Sequence, residues 1–232
     1  MTLNDFKLEF FILYDKVANF AAPGYLDDEV SIFLTKAQER IILSLYSEDG
    51  NKYKEGFEET EKRRKQLQQL VVPNVTLSLS ANQTGAEGFA YDLPSDCLLI
   101  IKEKAKISGC ACCNNEYKRI KPITHDEIES NRDNPFKKPS EKLLWRLDIG
   151  SSRHDIIPKE GTTVTEYTIS YIKKPRPIIL DNSVIDSFTG PLDCELNNII
   201  HRQIIDEAVK IATGITDPQL YQIKTIEKQS SE

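Results

Sequence analysis

Residues 25–46 read YLDDEVSIFLTKAQERIILSLY, residues 51–57 read NKYKEGF, and residues 58–72 read EETEKRRKQLQQLVV. In the first of these, Val30, Phe33, Leu34, Ala37, Ile41 and Leu45 recur at the spacing of one helix face. Asp27 is a suitable N-cap, and Asp28 and Glu29 suit the positive end of a helix dipole. Ser47-Glu-Asp-Gly50 supplies a turn that ends the helix. A third helix is predicted over about Glu58 to Leu70, where Glu58 with Lys62, Glu59 with Arg63 and Glu61 with Lys65 stand four apart. Each such pair contributes about 0.2–0.5 kcal/mol, so this is a solvated helix face and not a nucleic-acid patch. From Val75 the period changes to two: Val75, Leu77 and Leu79 alternate with Thr76, Ser78 and Ser80. Helices therefore hand over to a sheet near residue 73.

Outward from this block, a first helix is predicted over about Asn4 to Asn19, with Phe6, Phe10, Leu13, Tyr14 and Val17 as its apolar stripe. The stripe packs either on the chain's own core or on a neighbouring subunit. Pro23 and Gly24 separate it from the second helix. A strand is expected at Val75–Leu79, a polar loop over Ala81–Gly88 leads into Phe89–Pro94, and further strands are expected at Leu98–Ile107, Glu116–Pro122, Leu143–Ile149, Asp155–Pro158 and Val164–Ile172. Thr124-His-Asp-Glu127 reads as the capping box of a short helix ending near Asn131, and Asn134-Pro-Phe-Lys-Lys-Pro139 as an exposed loop. After Pro175 and Pro177 a connector runs to Pro191. A last long helix starts near Asp193, places Leu196, Ile199, Ile200, Ile204, Ala208 and Ile211 on one face, and has Gly214 as a suitable stop. The expected class is α+β: terminal helices form a helical bundle around a central antiparallel β-rich body, sandwich or barrel-like. The regions are 1–72 (helical), 73–180 (β-rich) and 181–232 (C-terminal helix and tail, packing with the N-terminal helices).

The bulk properties narrow the function. With 232 residues, 28% charged and 39% hydrophobic, the chain is ordinary for a soluble globular protein. It has no apolar run long enough to span a bilayer and no secretory signal, so folding in the cytosol and no membrane partner are expected. The net charge of −6 offers no surplus of cations for wrapping duplex DNA, although an acidic protein suits the wall of a passage that must not grip it.

No catalytic constellation emerges. The five cysteines are Cys97, Cys110, Cys112, Cys113 and Cys194, and an odd number in a cytosolic chain argues against a disulfide framework. Three of them crowd into Cys110-Ala-Cys-Cys113. Adjacent cysteines do not easily take two tetrahedral corners, and Cys97 and His125 would have to be brought in to complete a zinc set. A reduced-thiol turn is the simpler reading, and no metal is assigned. A thiol nucleophile needs an oriented histidine, but His125, His154 and His201 read as surface or interface residues. No carboxylate stands isolated in apolar surroundings, and the glycines form no phosphate loop, so no enzyme activity and no cofactor are assigned.

A resemblance adds to this reading. Tyr25–Tyr46 with its LTKAQE core, Lys52-Tyr-Lys-Glu-Gly-Phe57, Glu61-Lys-Arg63, Thr124-His-Asp-Glu-Ile128, Asn134–Pro139 and Trp145-Arg-Leu147 resemble segments of structural proteins from crAss-like phages of gut Bacteroides. Ile169-Ser-Tyr-Ile-Lys-Lys-Pro175, followed by a helix starting Cys194-Glu-Leu196, is similar to the wider group of podovirus head-to-tail adaptors. The resemblance implies a structural ring protein of the virion, at the junction of portal and tail. Its partners would be the portal protein, adjacent tail ring proteins and further copies of itself, about twelve in a closed ring. Genomic DNA would pass through the lumen without specific binding. Phe6, Phe10 and Tyr14 are then candidates for burial against a neighbour. The tail from Pro218, with Leu220, Tyr221 and Ile223, is the segment expected to order on the portal. A soluble binding module that acts on a host factor, with a Cys-rich turn holding zinc, is the alternative.

Overall fold

A computed structural model describes residues 1–17, 24–47, 57, 60–84, 87–109, 116–131, 134–150 and 152–216. The chain splits into two compact units, Met1–Leu70 with Pro175–Glu232, and Val71–Lys174. Together they make an α+β protein: helices in the first unit, a large curled sheet in the second.

In the helical unit, α1 (Leu3–Val17), α2 (Asp27–Tyr46) and α5 (Asn198–Thr216) pack together, with a short α3 (Glu61–Leu67) running into a 3-10 turn at Gln68–Leu70. The stripe anticipated on α2 is buried at Val30, Phe33, Leu34, Ala37 and Ile41, joined by Ile42. Aromatic rings link the elements: Phe6 lies 4.9 Å from the His201 ring, and Phe10, Tyr14, Tyr25 and Phe33 form a continuous chain of contacts. The start of α2 differs from expectation. Leu26 is the cap residue, its N–H is accepted by the Glu29 carboxylate at 2.9 Å, and Asp27 instead pairs with Lys7 at 2.7 Å. α5 also departs from its reading. It starts at Asn198, leaves Ile199 exposed and runs through Gly214. One glycine costs a helix about 1 kcal/mol, which is small beside the apolar burial along that face.

Between Pro175 and Leu192 the chain is not a plain connector. Residues 176–180 lie along α2, held by three polar side chains at i, i+4 and i+7. Gln38 Nε2 donates to the Arg176 carbonyl (2.9 Å), Thr35 Oγ1 accepts from Ile178 N–H (3.2 Å), and Ser31 Oγ accepts from Leu180 N–H (3.0 Å). The segment then makes a small hairpin of β8 (Val184–Ile185) and β9 (Phe188–Thr189). Asp186 and Ser187 both take positive φ at its tip, as a tight two-residue hairpin turn requires.

The second unit contains β1 (Val71–Leu77), β2 (Phe89–Asp92), β3 (Cys97–Ser108), β4 (Tyr117–Ile123), α4 (His125–Asn131), β5 (Leu143–Ile149), β6 (Arg153–Ile157) and β7 (Thr163–Lys173). They form one sheet in the order β1-β7-β3-β4-β5-β6-β2. A bridge between Leu79 and Tyr91, with Ser80 N–H donating to the Ala90 carbonyl at 2.8 Å, joins the chain just after β1 to β2, the opposite edge. The sheet is therefore curled until its edges meet, which is the barrel-like alternative and not the sandwich. Closure removes the free edges that an open sheet would expose. It also needs close approach at one point: a Cβ on Gly88 would sit 2.3 Å from the Ile156 carbonyl oxygen.

One pairing is not antiparallel. β4 and β5 run parallel, and α4 lies in the crossover between them, as a parallel pair needs. The capping box of α4 is present, with Glu127 N–H donating to Thr124 Oγ1 and Thr124 N–H to Glu127 Oε2, both at 3.3 Å. Inside the barrel, Leu77, Tyr91, Ala105, Ile107, Leu144, Ile156, Val164, Tyr167, Ile169 and Tyr171 form one core. A second cluster of Ile123, Ile128, Trp145 and Leu147 forms where α4 covers β4 and β5. Adjacent Leu144 and Trp145 thus serve different cores, because successive side chains of a strand point to opposite faces.

Candidate functional site

Among the described residues, no group of three or more His, Cys, Asp or Glu is placed to hold a metal ion. Cys110, Cys112 and Cys113 lie outside the described residues, as do Pro218, Leu220, Tyr221 and Ile223. Cys97 and Cys194 are free thiols, and burial pushes each up to about 11, the wrong direction for a nucleophile. No described helix is long and apolar enough to cross a membrane.

Phe6, Phe10 and Tyr14 are buried within their own unit, at most 1% exposed. The side of α1 open to a neighbour carries Leu8 and Ile12 instead. Further exposed apolar side chains in this unit are Leu26, Ile32 and Leu43 of the α2 region, Val184 and Phe188 of the hairpin, and Ile199. In the barrel unit the outstanding case is Phe136, 97% exposed on the loop read as Asn134–Pro139. That loop is well fixed by its own backbone. Lys137 and Lys138 N–H both donate to the Asn134 carbonyl (3.1 and 3.0 Å), Phe136 N–H donates to Asn134 Oδ1 (3.0 Å), and Ser140 N–H to the Leu143 carbonyl (2.9 Å). A fully exposed phenylalanine on a hydrogen-bonded loop, between a proline and two lysines, is a ready contact for another protein.

The histidines correct the sequence reading. His125 is exposed at the start of α4, but the other two are interior. His201 is buried on α5, its Nε2 donating to the Leu196 carbonyl at 2.8 Å. His154 lies on β6 inside the barrel and belongs to a closed ring of polar side chains. Arg146 bridges Glu103 (3.0 Å) and Asp148 (2.8 Å), and His154 Nε2 approaches Asp148 at 3.3 Å. His154 Nδ1 meets the Tyr167 hydroxyl at 2.9 Å, and that hydroxyl donates to Glu103 at 3.0 Å. With Tyr167 donating to Glu103, Nδ1 is the donor to the phenol oxygen. Burial, reinforced by the Arg146 charge and opposed by Asp148, lowers His154 to about 4. Burial and the Glu103 carboxylate raise the Tyr167 phenol far above its ordinary value. These contacts join strands β3, β5, β6 and β7, and in the neutral imidazole that the shift favours the Nε2 lone pair faces the half-exposed Asp148 carboxylate. The sequence signal available was weak: Glu103, Arg146, Asp148 and Tyr167 are ordinary strand residues until the register brings them together.

Each of the two folded units thus carries separated exposed apolar side chains. Comparison with known proteins accords with that. The chain is 33% identical over 225 residues to ring protein 4/5 of Bacteroides phage crAss001, which covers 91% of this chain and 92% of that protein. It is 35% identical over 195 residues to ring protein 3 of the same phage, covering 79% of this chain and 83% of that one. The profile of the phage tail ring protein 3/4 family matches residues 1–221, from α1 through the barrel to beyond α5, and the chain belongs to that family of crAss-like phage structural proteins.

Proposed function

We propose that this chain is a non-enzymatic subunit of a closed ring in the virion, stacked at the portal–tail junction. The observation that carries the reading is the likeness to phage ring proteins along nearly the whole length of both partners. A closed ring requires heterologous contacts, in which one patch of a subunit meets a different patch of the next. Exposed apolar residues on both units suit that, with Leu8 and Ile12 on one and Phe136 on the other. In this reading about twelve copies surround the channel. The segment with Pro218, Leu220, Tyr221 and Ile223 docks on the portal, and α1, with Phe6, Phe10 and Tyr14 setting its position, contributes to the contact between subunits. The ring extends the portal channel, offers a platform to adjacent tail rings, and lets genomic DNA pass.

The test is the mass of the purified chain in solution, alone and mixed with the portal protein of the same genome. The expected result is a small species alone and a complex of ring size with portal. A chain that remains monomeric in the presence of portal would overturn the assignment to this junction.

A further inference from the structure

The chain is acidic overall, yet one face of its barrel is not. On β3, Lys102, Lys104 and Lys106 occupy alternate positions, pointing away from the interior where Ala105 and Ile107 are buried. The register Lys106↔Tyr117 puts Tyr117 on the same outer face, and alternation carries Arg119 and Lys121 there as well. Lys104 and Lys106 confirm the juxtaposition, with their Nζ atoms 4.0 and 4.5 Å from the Tyr117 ring centroid. Glu166 is the carboxylate that meets this group, paired with Lys106 at 2.7 Å and accepting from the Tyr117 hydroxyl at 2.7 Å. On β3 and β4 five cations thus share this face with Glu166, in a chain whose net charge is −6; α4, with Asp126, Glu127 and Glu129, lies on the same side of β4 beyond them, where it covers Ile123. Neither strand reads as strongly basic alone; the sheet assembles the patch from alternate residues.

We propose that this β3–β4 face binds the phosphate backbone of a nucleic acid. Gathering like charges on adjacent strands is unfavourable unless a counter-charge is supplied, and a polyanion supplies it along a line. Alternate cations on a strand repeat every ~6.7 Å, so a row of three can meet successive phosphates. A protein partner is the poorer fit, because the centres of protein interfaces are depleted in lysine and enriched in apolar groups. Here the aromatic side chain, Tyr117, already holds Lys104 and Lys106 against its ring and stays 43% exposed. The contact reads charge and no base sequence, so it is compatible with a strand that slides. It does not depend on the chain's place in a ring.

The test is binding of a fluorescent 30-base-pair duplex to the purified full chain across a salt series. Wild type is expected to bind at 50 mM salt, losing about a hundredfold in affinity by 200 mM, as about four neutralised phosphates require. The triple variant K102S/R119S/K121S removes the three exposed cations without touching the core, and should lower the salt slope by about 3. The variant K137S/K138S, on the Phe136 loop, controls for net charge and should bind like wild type. Absence of binding by wild type at 50 mM salt overturns the proposal. So does equal binding by the triple variant. Retention of DNA binding with loss of self-association in that variant would assign the face to an acidic surface of a second copy instead.

Discussion

The two units bury polar groups in different ways. In the helical unit, Ser31, Thr35, Gln38 and His201 are buried and each bonds to main-chain atoms: the first three to the 176–180 segment, His201 to Leu196. In the barrel, Glu103, Arg146, Asp148, His154 and Tyr167 bond chiefly to one another, and three of the five are charged. The first arrangement fastens a passing strand, one neutral bond at a time. The second shares charge around a loop, so each member depends on the rest. Burial alone thus does not set the cost of losing a polar group; whether a charge is left unpaired does. The Glu103 carboxylate, nearly buried, would be left as a charge, whereas the Ile178 amide, buried as well, would be left neutral.

The largest effect should follow removal of the shared cation. Arg146→Ala leaves Glu103, which is nearly buried, without its counter-charge, whereas Asp148 is about half exposed and can be solvated. The expected destabilisation is about 3–5 kcal/mol, seen as a lower denaturation midpoint for the barrel. A loss near 1 kcal/mol would mean that Glu103 finds water, and the contrast between the units would fail at its strongest point.

Acid sharpens the same comparison. His154 titrates at about 4 in the folded protein against 6.5 unfolded, so the unfolded chain binds its proton first. Its stabilising contribution is complete above pH 6.5 and is lost as pH falls through 6.5 toward 4. Between pH 7 and pH 5 this single group should remove about 2 kcal/mol. His201 is lowered as well, chiefly by burial, and acts in the same direction. Urea midpoints at the two pH values measure the sum, and His154→Gln should flatten most of the slope while His201→Gln flattens the remainder. A slope unchanged in His154→Gln would place the acid sensitivity outside the ring.

How much of this could be read from the residues depends on the range of the interaction. The α2 stripe and the Thr124–Glu127 capping box are local and both appear, with Leu45 at the end of the stripe only partly buried. The parallel β4–β5 pair was within reach, since a short helix between two strands is what such a crossover needs. Barrel closure at Leu79–Tyr91 was not, because the pairing of two edges is decided by curl accumulated over seven strands. The basic face and the polar ring needed the register, and each is invisible in any one strand. The hairpin at Asp186-Ser187 escaped because that pair is not the Asn-Gly type that usually marks such a turn. Of the contact residues, Phe136 was flagged only as part of a loop. The backbone hydrogen bonds that fix its loop are not revealed by the proline-rich spacing, and neither is its near-complete exposure.

The smallest effect expected is at Thr35, and it tests the helical unit's side of the contrast. Ser31, Thr35 and Gln38 look like polar interruptions of an apolar face, yet their spacing of four and three matches the rise needed to meet successive main-chain groups of an extended strand. Thr35→Val keeps the shape and removes one hydroxyl. Ile178 N–H then loses its acceptor, which costs about 1–2 kcal/mol, while the lost bond from Thr35 Oγ1 to the Ser31 carbonyl (2.9 Å) leaves the helix ladder intact. Hydrogen exchange should show faster exchange at Ile178, with Leu180 changed less because Ser31 still holds it. If instead exchange rises together at residues 176–180 and across α2, the three side chains act as one cooperative clamp. The helical unit would then share its buried polarity much as the barrel does, and the two regions would differ in charge alone.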